Sequence, residues 1–133
     1  MVRGKTLGLG EQWAKEFSAW LGNSQYMAER NLGGYRSEIH GNALEFSLMD
    51  VRTRLEFHDP EGNGRKLHLH LQMSLEIEGN KKELVCEYTR DLGEEPPSRF
   101  LGSSTVDLII DDFLLPGLKN FIENICFPKL LKQ

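Results

Sequence analysis

The stretch RKLHLHLQMSLEIEG, residues 65–79, decides the fold. Leu67, Leu69, Leu71, Met73, Leu75 and Ile77 alternate with His68, His70, Gln72, Ser74 and Glu76. A period of two marks a strand with one face on a core and the other on water. A strand of this length needs partners, and the flanking sequence supplies them. Upstream, the turn signal DPEGNG (59–64) joins it to VRTRLEFH (51–58). With Phe57 set opposite Leu67, Glu56 faces His68, Arg54 faces His70 and Arg52 faces Gln72. Downstream, residues 79–82 (GNKK) turn into ELVCEYT, with Leu84, Cys86 and Tyr88 inward.

Further upstream, GYRSEIHGNALEFSL (34–48) holds Gly41-Asn42, a two-residue hairpin turn with glycine first. Pairing His40 with Ala43 brings Ile39 to Leu44 and Tyr35 to Leu48, all apolar members on one face. The parity then slips, because Leu44, Phe46 and Leu48 are even whereas Val51, Leu55 and Phe57 are odd. One continuous strand cannot keep both sets inward, so a β-bulge or break is expected near Leu48-Met49-Asp50.

Helices bracket these strands. In GEQWAKEFSAWLGN, Trp13, Phe17, Trp20 and Leu21 form one stripe of an amphipathic helix that Gly22 can close. Residues 23–34 read either as a short helix capped by Ser24 or as extended chain. Pro96-Pro97 places the loop 92–102 outside the sheet. Beyond it, Ser104 and Asp107 resemble a capping box, and an apolar stripe runs from Val106 to Cys126. The stripe keeps phase across Pro116, so one kinked helix or two consecutive helices are expected. The chain therefore predicts a single α+β domain over 1–133. Its parts are an N-terminal amphipathic helix, a curved antiparallel meander of about five strands, and a long Pro-kinked C-terminal helix on one face of the sheet.

Composition narrows the classes. The formal charge is -4; residues 1–66 carry nine Lys/Arg against nine Asp/Glu, and residues 67–133 seven against eleven. Such a balance gives no broad basic footprint for phosphates, which argues against nucleic acid as partner. No segment reaches the roughly 18 apolar residues of a membrane span, and none near the start has the apolar core of a signal peptide. Cys86 and Cys126 fall on apolar faces, as buried thiols in a reducing compartment would, and a cytoplasmic location is expected.

Chemistry is sparse. His68 and His70 share a strand face, but a zinc site needs a third ligand; only Glu56 is near in the expected register, with Arg54 opposing. A solvated face is the expectation, and no metal, cofactor or catalytic set is assigned. His40 and His58 beside turns add no ligand spacing, and Glu45, on the wet side of the second strand, reads as another solvated acid. The paired acids Glu94-Glu95 and Asp111-Asp112 read as solvated or dipole-favoured.

The architecture looks broadly like helix-grip and cone-like ligand-binding folds. LHLQMSLEIEGNKKELVCEYTRDLG followed by LLPGLKNFIENICFPKL is also similar in pattern to the SecB secretion chaperones, where a hairpin strand with a Cys-Glu pair precedes a helix entered through proline. Few residues are shared, and the N-terminal helix and short first hairpin depart from that family. The resemblance implies protein binding. The expected function is a non-catalytic protein-binding module of adaptor, chaperone-like or inhibitor type, its partner another protein chain and possibly a second copy. Phe127, Leu130 and Leu131 are its candidate interface. The alternative is a small-molecule binder or enzyme with a pocket between sheet and helix, lined by Tyr35, Phe46, Tyr88, Phe113 and Phe121.

Overall fold

Burial alternates along residues 51–58 and 66–74, and the strands build an antiparallel sheet of five in the order of the chain. The computed structural model describes residues 8–92 and 101–127. The strands are β1 (Glu38–His40), β2 (Ala43–Leu48), β3 (Val51–His58), β4 (Lys66–Ile77) and β5 (Asn80–Asp91). All helices described lie on the apolar face. Helix α1 (Gly8–Leu21) packs on β1, β2 and β3, while the C-terminal helical run packs on β4 and β5. Trp13, Phe17, Phe57, Leu71 and Phe121 belong to one continuous core. The architecture expected from the periodicities is present.

Local differences have local causes. The parity slip after Leu48 is a tight hairpin rather than a bulge. Met49 and Asp50 take φ of 50° and 71°, the left-handed pair of a type I′ turn, and Leu48 pairs directly with Val51. An even residue and an odd one thus share the core face with no strain on the ladder. Between β3 and β4 the register differs by two residues from the expected one: Phe57 pairs with Leu69, Glu56 with His70, Arg54 with Gln72 and Arg52 with Ser74. The Asp59 carboxylate accepts the Gly64 N–H at 3.0 Å and its carbonyl accepts that of Gly62, which widens the loop. The turn into β5 is Glu78-Gly79, both at positive φ, so that Asn80 already pairs with Ile77. Tyr35 lies before β1 and does not pair with Leu48; its N–H bonds the Leu21 carbonyl at 2.9 Å.

Residues 23–34 contain a short helix, α2 (Ser24–Ala28), capped not by Ser24 but by Asn23, whose Oδ1 accepts the Tyr26 N–H at 2.9 Å. The C-terminal run comprises α3 (Ser103–Leu108), a π-helical stretch Ile109–Leu114, α4 (Leu115–Asn120) and a second π-helical stretch Phe121–Cys126. Pro116 lacks an N–H and would crowd the carbonyl four residues back; the wider turn immediately before α4 accommodates it. The Ser104–Asp107 capping box does not form. Gly102 occupies the N-cap without a side-chain bond.

Asp107 is used elsewhere. Its Oδ1 accepts the Tyr26 hydroxyl at 2.5 Å and the Arg30 guanidinium, which also lies 3.9 Å over the Tyr26 ring. Burial, and next the acceptor Asp107, push the Tyr26 hydroxyl well above its ordinary value of 10.0. The unfolded chain ionises at this tyrosine near pH 10, whereas the folded chain keeps the proton. Its contribution is therefore full below pH 10 and fades as pH rises further. Tyr26→Phe is expected to cost about 1–2 kcal/mol at neutral pH. Denaturant melts of both proteins should converge above pH 10, and a gap that widens there would refute the account.

Candidate functional site

Residues directly opposite in an antiparallel pair share a face, so the register fixes what stands on the uncovered side of the sheet. His58, His68 and Thr89 form one row; His40, Ala43, Glu56, His70 and Glu87 form the next; Glu38, Glu45, Arg54, Gln72 and Val85 a third. All four histidines of the chain therefore stand on the open face.

The rows are tied by ion pairs. Arg54 donates to Glu56 Oε2 through Nη2 at 3.0 Å and to Glu45 Oε2 through Nη1 at 3.0 Å. Held first by Glu56 and then by Glu45, its guanidinium is pushed further up. Burial works to raise the Glu56 carboxyl, but the hydrogen bonds from His58 and Arg54 outweigh it and hold the group below its ordinary range. Glu87 bridges two histidines, His68 Nε2 at 3.1 Å and His70 Nδ1 at 3.3 Å, and His68 Nδ1 meets Thr89 Oγ1 at 2.9 Å. The neighbour expected beside His70, Arg54, stands instead by Gln72. Glu87, from the other side of β4, is the residue that the sequence did not point to.

A groove of about 810 Å³ crosses this face from Glu38 on β1 to Val85 on β5, with Arg52, Arg54, Lys81 and Glu83 among its walls. Its lining mixes charges of both signs with apolar side chains such as Tyr35, Leu84 and Val85. Tyr35 and Phe46, two of the five residues assigned to a sheet–helix pocket, border this groove. Phe46 is also buried in the core, as are Phe121 and Phe113, and Tyr88 stacks on Phe113 with ring centroids 5.1 Å apart. A smaller cavity of about 540 Å³ lies between Gly10-Glu11 and the loop after Phe57.

Of the assigned interface, Phe127 is 40% exposed, and Leu130 and Leu131 lie outside the described residues. Cys126 is buried and Cys86 half-buried; both are free thiols, and burial pushes both up in pKa. No helix among the described residues is long and apolar enough to cross a membrane.

Compared with family models, curated protein sequences and solved structures, the chain matches none of them.

Proposed function

We propose that this domain is a non-catalytic protein-binding module, with the β5 edge and the open face beside it as the contact surface and a second copy of the chain as its partner. The observation that carries the reading is the edge itself. Strand β5 is twelve residues long and, among the described residues, pairs only with β4. Such an edge offers backbone donors and acceptors to an added strand. Val85 stands in its middle, 56% exposed, on the open face. On the other face, Phe127 follows the π-helical stretch that packs on β5.

Charge sets the register that a second copy would adopt. Antiparallel pairing centred on Cys86 keeps core faces together, brings Leu84 to the second copy's Tyr88 and Lys81 to its Asp91, and leaves Lys82 against Arg90 as the like-charge pair. Centring on Val85 would oppose Glu83 and Glu87.

Sedimentation velocity over a concentration series tests the reading. The full chain is expected to form a reversible dimer, and Val85→Glu, which in this register sets a carboxylate opposite Glu87 of the second copy, to be monomeric with an unchanged melt. Truncation after Cys126 removes Phe127, Leu130 and Leu131 and is expected to weaken association while sparing the fold. A monomer at every concentration, or a dimer indifferent to Val85→Glu, would overturn the second-copy assignment.

A further inference from the structure

We infer that Glu38, His40 and Glu45 form a binding site for a divalent transition metal of the zinc class, at the β1–β2 hairpin and apart from the β5 edge. The three side chains project from one face, and their donor atoms all lie within 4.8 Å of one another. His40 Nε2 stands 3.5 Å from Glu38 Oε1 and 3.6 Å from Glu45 Oε1. Those distances are long for a hydrogen bond, which for N–H···O falls at about 2.7–3.2 Å. They match another geometry. Donors bound tetrahedrally to zinc at about 2.0–2.2 Å stand roughly 3.3–3.6 Å apart. The contrast with the same face is internal, since His58 reaches Glu56 and His68 reaches Glu87 at 3.1 Å each.

A second observation points to a cation independently. Glu38 and Glu45 are direct cross-strand partners, and like charges directly opposite destabilise a pair of strands. The repulsion falls on a strand only three residues long; Arg54 offsets it from the Glu45 side, whereas Glu38 pairs with no Lys or Arg among the described residues. A divalent ion between the carboxylates would turn that repulsion into attraction.

The surroundings orient the donors. Glu45 turns Oε1 toward His40, while its Oε2 is held by Arg54, itself anchored by Glu56. Partners of this kind behind a ligand fix its direction. The hairpin is pinned to β3: Asn42 Nδ2 donates to the Phe57 carbonyl at 2.8 Å, and the Phe57 N–H to the Asn42 carbonyl at 2.9 Å. One imidazole with two carboxylates suits zinc and its neighbours in the first transition row over magnesium or calcium. Three protein donors leave a fourth position for water.

Calorimetric titration of untagged, metal-stripped full chain with Zn²⁺ alone is the test. One zinc per chain is expected, weakened at least about tenfold by His40→Ala and by Glu38→Gln, and unchanged by His68→Ala. His40 is exposed, so the metal-free melt of its variant should match the parent, and Glu38→Gln, which removes the carboxylate repulsion, should melt no lower than the parent. Bound Co²⁺ in place of zinc should give the visible absorption of a four-coordinate site. Absence of zinc uptake, uptake indifferent to His40→Ala, or uptake lost with His68→Ala would each overturn the assignment; the last would move the metal to the Glu87 histidines.

Discussion

Phe121→Ala is expected to destabilise the protein by about 3–5 kcal/mol, the usual cost of emptying a buried aromatic site. Phe121 is fully buried at the start of the π-helical stretch that rests on β4 and β5. Little nearby can relax into the space, because sheet residues such as Leu69 and Leu71 are themselves fully buried and locked in the ladder. Glu76→Ala on the open face should change stability by less than about 0.5 kcal/mol. Urea melts of the two variants compare them directly, and equal shifts would mean that the two faces of the sheet are wrongly assigned.

Gly10→Val should cost about 3 kcal/mol and Gly10→Ala about 1–2 kcal/mol, although alanine is the better helix former by about 1 kcal/mol. A Cβ at Gly10 would stand 2.6 Å from the Phe57 carbonyl oxygen and 3.4 Å from Asn42 Cβ. That oxygen already accepts the Asn42 side chain, so it cannot move without loosening the β1–β2 hairpin. Helix α1 would have to lift from β3 instead. Gly33 provides the control: a Cβ there meets nothing within 4 Å, and Gly33→Ala should be neutral or stabilising by up to about 1 kcal/mol. A Gly10→Ala protein more stable than the parent would refute the close-approach account.

What the sequence made legible was the assignment of faces. Leu67 through Met73 and Val51 through Phe57 are inward as their parity requires, because parity survives any error of two residues in register. Which residues become neighbours does not survive it. Arg54 was expected beside His70 and stands by Gln72, since the depth of the Asp59 loop is set by hydrogen bonds rather than by composition. The turn at Met49-Asp50 was hidden for a related reason: neither residue is glycine, yet both hold positive φ. The Glu38–His40–Glu45 cluster was invisible as spacing. Two donors sit in sequence as Glu-X-His, but the third arrives across the hairpin from a residue that reads by itself as a solvated acid. Asp107 shows the same limit at longer range. Three positions after a serine it reads as a cap, and only the packed position of α2 gives it Tyr26 and Arg30.

That last tie has a consequence for the order of assembly. Every strand pairs with its neighbour in sequence, so the sheet can zip through successive hairpins at small loop-closure cost. The contact of Tyr26 and Arg30 with Asp107 spans 81 and 77 positions and encloses all five strands. It joins the two helical ends of the chain only after the intervening sheet has formed. Tyr26→Phe should therefore leave the refolding rate nearly unchanged and appear almost wholly as faster unfolding, so that this tie acts as a latch on the finished molecule.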